Sequence, residues 1–190
     1  MALKRRDFLR VGLIAGTVGA TSGFGAAALG FMWPSLGEGF GATLDVGAAD
    51  ELASEIQTRR TPFAYPAGRL YVVAWDPTLP GAMEAYGEEH KAVVSPTLAL
   101  MALYQKCVHL GCRVPWCQSS QWFECPCHGS KYNKWGEWVG GPAPRGLDRF
   151  PSEIDSEGRL SVNTGVLVTG PARTERVLQQ EPEGAHCINL

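Results

Sequence analysis

Two short stretches decide the fold of this chain: Cys107-Val108-His109-Leu110-Gly111-Cys112 and Cys125-Pro126-Cys127-His128-Gly129-Ser130. Each offers a cysteine and a histidine at the spacing of a tight turn, Cys-x-His in the first and Cys-x-x-His in the second. If the two turns face each other, they supply two thiolates and two imidazoles. Zinc accepts that set in a tetrahedral structural site. A 2Fe-2S cluster accepts it differently, with both cysteines on one iron and both histidines on the other.

A second pair of cysteines, Cys112 and Cys127, lies inside the same two stretches. A tetrahedral zinc site already has its four ligands in the first two cysteines and the two histidines, so it does not need this pair. In facing loops the two residues lie next to each other and can form a disulfide that clamps the loops, a bond favoured outside the cytoplasm. Glycines at positions 111 and 129 allow the sharp turns that this arrangement needs.

The whole pattern, Cys-x-His-x15-Cys-x-x-His with an internal cysteine in each box, resembles the Rieske iron–sulfur proteins of cytochrome bc-type complexes. Ser130 and Tyr132 match the Ser-x-Tyr of that family, and Gly140-Gly141-Pro142-Ala143-Pro144 matches its proline loop over the cluster. The resemblance is close over residues 101–150, extends to the organisation of the N-terminal anchor and hinge, and is loose over residues 50–97 and in the tail. Val114-Pro115-Trp116 is more similar to the cytochrome b/f branch than to the mitochondrial one.

The resemblance implies a cofactor, one Rieske-type 2Fe-2S cluster, and a role for each residue of the boxes. Cys107 and Cys125 would hold one iron, and His109 and His128 the other. Cys112 and Cys127 would form the disulfide.

The resemblance also assigns the residues around the ligands. The Ser130 hydroxyl would bond a bridging sulfide, the Tyr132 hydroxyl would bond the Cys107 sulfur, and Gly141 and Pro142 would belong to the covering loop. Such hydrogen bonds stabilise the reduced, more negative cluster and raise its potential. We therefore expect a midpoint potential in the upper part of the Rieske range of roughly −150 to +300 mV.

His109 and His128 are the candidate catalytic residues, because an imidazole on a ferric centre can release a proton when oxidised and regain it when reduced. An outward-facing histidine ligand would bond a quinol hydroxyl and take its proton while the iron takes the electron. As in the family, the head would then rotate about residues 37–47 and pass the electron to a c-type or f-type haem.

The expected function is therefore that of the Rieske subunit of a membrane quinol:cytochrome c (or f) oxidoreductase, active only within the complex. Its expected partners are a cytochrome b subunit, a cytochrome c or f subunit and quinol. The complex is expected to contain several different subunits and to be dimeric. The alternatives are the Rieske small subunit of a periplasmic oxidoreductase such as an arsenite oxidase, and a structural zinc module. Ser130, Tyr132 and the proline loop argue against the arsenite oxidase.

Composition excludes several other classes of protein. The 190 residues are 45% hydrophobic and 19% charged, which indicates a globular chain rather than a disordered one. Four of the 17 Lys and Arg residues lie within the first ten positions, so the remainder is acidic. No nucleic-acid partner is expected, because phosphate recognition needs a cationic face.

The N-terminal region predicts a membrane anchor. Residues 11–33 contain no charged side chain, and as a helix they match the thickness of a bilayer. The other interpretation of this segment is a cleaved signal peptide, for which Ala26-Ala27-Ala28 offers a cleavage site. The basic cluster in 1–10 places the N-terminus in the cytoplasm. Its Arg5-Arg6 pair resembles a twin-arginine export signal, which favours the bacterial inner membrane with the soluble domain on the periplasmic side.

The remaining chain reads as short strands, and the predicted class is all-β: a small antiparallel Rieske-type β-sandwich with a cluster-binding subdomain, preceded by one transmembrane helix. Strands are expected at 69–75, 98–105 and 165–169, with a hairpin over 154–162 and one helix over 50–57. The predicted organisation is a flexible hinge over 34–48, a Rieske domain over 49–170 with its cluster-binding part at about 104–148, and an extended tail over 171–190.

Several residues outside the boxes carry secondary predictions. Cys117 and Cys187 are an even pair in an oxidising compartment, and we expect a second disulfide that pins the tail to the cluster region. His90 and His186 are expected to be solvated surface residues. Four tryptophans flank the boxes and are expected to pack around the cluster: Trp116, Trp122, Trp135 and Trp138.

Overall fold

A computed structural model describes residues 4–32, 40–87 and 90–188, without the side chains of residues 90 and 91. The chain divides into two units, residues 1–37 and 38–190. The described residues of the first unit form a single helix, α1 (Arg5–Met32), with no buried residue. An 18-residue window of this 28-residue helix reaches a mean hydropathy of 1.4, so α1 is long and apolar enough to cross a membrane, as a signal sequence would also be.

The second unit is mostly β, which confirms the predicted class. It has two further helices, α2 (Ala49–Arg59) and α3 (Ala82–Tyr86). Its strands are β1 (Thr43–Ala48), β2 (Phe63–Tyr65), β3 (Leu70–Trp75), β4 (His90–Lys91), β5 (Val93–Ser95), β6 (Leu98–Tyr104), β7 (Trp116–Cys117), β8 (Trp122–Glu124), β9 (Lys131–Tyr132), β10 (Trp138–Gly140), β11 (Arg149–Phe150), β12 (Ser152–Ile154) and β13 (Arg159–Asn163).

The central sheet runs in the order β11-β6-β3-β2, with β5 also paired to β6. Strands β3 and β6 are antiparallel from Leu70 opposite Tyr104 to Trp75 opposite Ala99. Because side chains alternate between the faces of a strand, this one sheet supplies two cores. One face carries Tyr71, Val73, Met101 and Leu103, and the other carries Leu70, Val72, Leu100 and Ala102.

The other two sheets cover these two faces. The sheet β1-β13-β12-β4 joins the second core through Val46, Leu160 and Val162, together with the apolar face of α2. Its only parallel pair, within the described residues, is β12 with β4. The small sheet β10-β9-β8-β7 joins the first core through Phe123 and Tyr132, and both cysteines proposed as ligands lie in that core. The cluster-binding loops therefore stand on a rigid sheet.

Two parts of the predicted organisation differ from the structure, and a third agrees with it. Residues 43–48, assigned to the hinge, form β1 and pair with β13, because Leu44 and Val46 alternate into the interior. Residues 34–39 of that segment lie outside the described residues, as does residue 33 of the predicted anchor. Residues 165–169 form no strand, and only Val168 makes a bridge, to Arg149. The segment 171–188 has no helix or strand, as expected, but it is not free: Leu178 is buried in the first core.

Candidate metal centre

The two boxes fold into loops with the same backbone hydrogen bonds. In the first, the Cys107 N–H donates to the Cys112 carbonyl at 2.7 Å, and the Gly111 N–H donates to the Cys107 carbonyl at 2.9 Å. In the second, Cys125 N–H to Ser130 carbonyl (2.8 Å) and Gly129 N–H to Cys125 carbonyl (3.1 Å) repeat both bonds at the same offsets. Gly111 and Gly129 both have positive φ, +87° and +72°, which glycine adopts without a steric penalty.

A disulfide joins the two loops at their inner cysteines. The Cys112 and Cys127 sulfur atoms are bonded at 2.10 Å, with the Cα atoms 6.7 Å apart. A second disulfide joins Cys117 on β7 to Cys187 in the C-terminal segment. Within the described part of the chain only Cys107 and Cys125 are free thiols. The other sulfur atoms are bonded in pairs and are not available as metal ligands.

The structure separates the sulfur donors from the nitrogen donors. Cys107 and Cys125 are both only 1% exposed, whereas His128 is exposed and His109 half-buried. The two imidazole rings lie 4.8 Å apart between centroids, at 89° to each other. The thiols therefore face the interior, and the imidazoles face the surface. This asymmetry matches a binuclear centre with unlike irons better than a single ion.

An orphaned polar atom supports metal binding at this place. The Nδ1 atom of His109 is buried and has no hydrogen-bond partner, an arrangement that is costly unless the atom binds something else. Burial and the neighbouring Cys107 thiol raise the pKa of Cys125 above its ordinary value. The metal-free Cys125 thiol therefore keeps its proton, and iron binding must displace it. The donor set fits a Rieske-type cluster.

Tyr132 supports the sulfur side of the site. Its hydroxyl lies 3.2 Å from the Cys107 Sγ, and the side chain is fully buried. Burial and the nearby Cys107 raise the pKa of Tyr132 far above its ordinary value. The phenol therefore keeps its proton and can donate it to the Cys107 sulfur when that sulfur is a thiolate.

Residues 141–144 of the proline loop pack directly on the second box. The Ala143 N–H donates to the Ser130 Oγ at 3.1 Å. The Ser130 hydroxyl hydrogen has no acceptor among the described residues and is free for a cluster sulfide. Gly141 has φ +81°, and a Cβ there would lie 2.5 Å from the Gly129 oxygen and the Ser130 Cα. Only glycine permits this approach. Pro142 itself is exposed.

Two functional contacts were missed because they come from the C-terminal segment. Arg173 donates to the carbonyls of the proline loop, and His186 lies against Glu124, the residue before Cys125. The prediction that His186 is a solvated surface residue is wrong, since its ring also packs on Trp122, with centroids 5.3 Å apart. The His90 side chain lies outside the described residues. No local sequence pattern signals either contact.

The tryptophans divide between two environments. Trp135 belongs to the buried core that contains both free cysteines, and Trp116 and Trp138 pack against that core. Trp122 lies apart from it, against His186. The expectation that all four surround the cluster therefore fails for Trp122.

Comparison with known proteins identifies the family. A family model described as the Rieske [2Fe-2S] domain matches residues 71–151. The cytochrome b6-f complex iron-sulfur subunit of Microcystis aeruginosa is 36% identical over 169 residues, covering 85% of this chain and 86% of that protein. The chain is a Rieske iron–sulfur protein of the bc and b6-f type. Its cofactor is one Rieske-type 2Fe-2S cluster.

Two further matches are more limited in extent or likeness. The chloroplastic b6-f iron-sulfur subunit of Arabidopsis thaliana is 47% identical over 64 residues, 34% of this Rieske protein but only 28% of the plant protein. The crystal structure of the plasma membrane Rieske protein PetC3 from Synechocystis PCC 6803 covers 63% of this chain and 97% of that one, at 22% identity and a TM-score of 0.40. These comparisons favour neither the arsenite oxidase nor the zinc module.

Proposed function

We propose that this Rieske protein accepts one electron and one proton from a quinol and passes the electron to a c-type or f-type haem, as part of a quinol:cytochrome oxidoreductase. One observation carries the proposal: the two histidines lie at the surface end of the site, and the two free cysteines lie at its buried end. A small substrate can therefore reach the nitrogen donors without reaching the sulfur donors.

Each proposed ligand has a role that follows from its position. Cys107 and Cys125 would hold the inner iron, and His109 and His128 would hold the outer one. When bound, the cluster supplies a one-electron acceptor whose potential is raised by its imidazole ligands. The Cys112–Cys127 disulfide holds the two loops at a fixed separation, because it bonds their inner residues directly.

His128, as the exposed histidine, is the residue proposed to meet the quinol. One nitrogen of its ring would bind iron, and the other would be free to accept a hydrogen bond from the quinol hydroxyl and then hold the proton. Leu110, 71% exposed beside His109, makes the surrounding surface apolar, as suits a lipid-soluble substrate. Gly141 and Pro142 cover the other side of the site and limit the access of water.

The hydroxyls of Ser130 and Tyr132 are proposed to set the potential. With the cluster bound, Tyr132 would donate to the Cys107 sulfur and Ser130 to a cluster sulfide. Both bonds would be stronger in the reduced state, which carries more negative charge on sulfur. The two residues thereby favour the reduced state.

The relatives and α1 support the proposed partners and location. Relatives named as cytochrome b6-f complex subunits support a complex with a cytochrome b and a cytochrome c or f subunit. We propose that this complex contains several different subunits and is dimeric. We propose that α1 is retained as a single-pass anchor in a bacterial inner membrane. The N-terminus is then cytoplasmic, the Rieske domain is periplasmic, and Arg5-Arg6 serves export by the twin-arginine route.

The experiment is to purify the full-length chain from membranes and determine iron, acid-labile sulfide and the EPR spectrum of the reduced protein. We expect two irons and two sulfides per chain and g values that average below two. His128→Ala should abolish this signal, whereas His186→Ala, which also removes a histidine, should retain it. Absence of iron and sulfide from the native chain refutes the site. A normal signal with no quinol-dependent reduction in solubilised membranes refutes the proposed reaction.

A further inference from the structure

Arg173 lies in the segment that follows the last strand, yet its guanidinium contacts the proline loop at three successive carbonyls. Its Nε donates to the Ala143 oxygen at 2.7 Å. Its Nη2 donates to the Pro142 oxygen at 2.9 Å and to the Gly141 oxygen at 3.3 Å. The guanidinium also stacks on Trp138, with its Cζ 4.5 Å from the ring centroid. No ion pair engages Arg173 in the described part of the chain, so its donors are directed at the loop.

The proline loop has few other means of holding its shape. Strand β10 ends at Gly140, and Pro142 and Pro144 have no N–H to donate. Apart from Arg173, the described contacts that fix residues 141–143 through their polar backbone atoms are the Trp138 Nε1 bond to the Gly141 oxygen (3.2 Å) and the Ala143 N–H bond to Ser130. Arg173 therefore supplies most of the hydrogen bonds to the loop.

The loop connects Arg173 to the cluster site through one residue. The Ala143 carbonyl accepts from Arg173, and the N–H of the same residue donates to the Ser130 Oγ at 3.1 Å. A hydroxyl that accepts a hydrogen bond becomes a better donor, because hydrogen bonds in a chain polarise one another. Arg173 thus orients the group that polarises the Ser130 hydroxyl.

The backbone that leads into Arg173 is itself held in place. The neighbouring backbone is fixed by a bond from the Gly146 N–H to the Pro171 oxygen at 2.8 Å and by a bridge between Arg145 and Ala172. A planar guanidinium presents its donors as a rigid fork, whereas a lysine ammonium is a point charge on a flexible stem. The arrangement therefore calls for the shape of arginine as well as its charge.

From this geometry we infer that Arg173 is a positioning residue, through which the C-terminal segment holds the proline loop over the cluster and raises the cluster's potential. The inference rests on the proposed role of Ser130 as a donor to the cluster. Loss of the fork lets the Ala143 amide leave Ser130, which weakens the Ser130 bond to the cluster and disfavours the reduced state.

The test compares Arg173→Gln, Arg173→Lys and Arg176→Gln in the full-length chain. Arg176, three residues further along, is exposed, and no described contact involves its side chain, so Arg176→Gln is the matched control for lost charge. Two readouts are used: hydrogen exchange at the Ala143 amide, with and without cluster, and the midpoint potential of the loaded protein. Circular dichroism and thermal unfolding establish that each variant is folded; if Arg173→Gln does not fold, Arg173→Lys decides the question.

We expect both Arg173 variants to exchange at Ala143 at least threefold faster than the native chain. The ratio of reduced to oxidised protein at a fixed applied potential should fall by roughly threefold, or about 28 mV at 59 mV per tenfold change. Arg176→Gln should match the native chain in both readouts. In a Ser130→Ala background, Arg173→Lys should cause no further change in potential.

Two results overturn the inference. If Arg173→Lys behaves as the native chain, only charge matters and the fork has no role. If Arg173→Gln and Arg176→Gln shift the potential equally, the effect is not specific to the loop. Failure of the proposed function gives a different result, a native chain without a cluster signal. In that case, exchange at the Ala143 amide of the cluster-free chain still tests whether Arg173 holds the proline loop in place.

Discussion

The Nδ1 atom of His186 lies 2.8 Å from the Oε1 atom of Glu124, so the C-terminal segment is bonded to the residue that directly precedes Cys125. Glu124 is a buried carboxylate, 1% exposed, and it also accepts from the Ser120 hydroxyl at 2.6 Å and the Ile188 N–H at 2.8 Å. Burial alone would raise its pKa. The hydrogen bonds from Ser120, His186 and Ile188 outweigh burial and hold the pKa of Glu124 below its ordinary 4.5.

Replacement of Glu124 by Gln should destabilise the domain in a pH-dependent way. Three hydrogen bonds to a buried carboxylate are weakened or lost, and a cost of about 1–3 kcal/mol is expected at neutral pH. Because the folded pKa is lowered, the carboxylate's extra stabilisation is fully present above the ordinary value of 4.5 and is lost as pH falls through the lower folded value. Denaturant unfolding of both proteins from pH 7 to acid measures this difference.

Glu157→Gln is the control for the loss of one negative charge. Glu157 is exposed between β12 and β13, and no described contact involves its carboxylate. This variant should match the native chain at every pH. A gap between Glu124→Gln and the native chain that stays constant down to the acid limit would contradict the assignment of that gap to the ionised carboxylate.

Removal of the Cys117–Cys187 disulfide should lower stability while sparing the cluster. This bond closes a loop with a sequence separation of 70 residues, and the chain-entropy argument gives an upper value of about 4 kcal/mol for such a loop. The double variant Cys117→Ser/Cys187→Ser should therefore unfold at a lower temperature but retain its EPR signal.

The corresponding Cys112→Ser/Cys127→Ser variant should lose cluster readily, because that disulfide joins the ligand loops themselves. Equal cluster retention in the two double variants would contradict this distinction.

The sequence predicts best those features whose determinants are close together along the chain. Each six-residue box holds its ligands, its turn glycine and its disulfide cysteine. The nearly continuous apolar runs of β3 and β6 follow from burial on both faces of the sheet. Strand β1 was missed because it has only Leu44 and Val46 to mark it, and Gly47, with φ +142°, interrupts the pattern at a bulge. The contacts of Arg173 and His186 join residues tens of positions apart in a segment without periodicity. Nothing local encodes them.

Replacement of Tyr132 by Phe should lower the midpoint potential with little change in packing. The phenol is fully buried and its hydroxyl lies 3.2 Å from the Cys107 sulfur, so the change removes one hydrogen bond that favours the reduced state. A shift of about 59 mV corresponds to a tenfold change in the redox ratio and is the expected order of magnitude. Voltammetry of the loaded protein measures it.

Tyr86→Phe is the matched control for Tyr132→Phe. Tyr86 lies in the same core, but its hydroxyl donates to the Glu137 carboxylate at 2.6 Å rather than to a ligand. This variant should lose about 1–3 kcal/mol of stability and keep the native potential. If both variants shift the potential equally, the effect comes from core packing and not from the bond to sulfur.

Stiffening of the connection between α1 and β1 should slow turnover of the complex without altering the cluster. We propose that electron transfer to a haem involves movement of the domain after it meets quinol. Strand β1, paired with β13 from Thr43 onward, would move with that domain. The pivot must therefore precede residue 43, and not extend to residue 47. Gly37→Pro/Gly39→Pro restricts the backbone there because proline fixes φ. Quinol:cytochrome reductase assays in membranes should show a severalfold loss of rate with an unchanged EPR spectrum. Gly37→Ala/Gly39→Ala, which leaves φ largely free, should lose much less. Native turnover in the proline variant would show that domain movement does not limit the reaction.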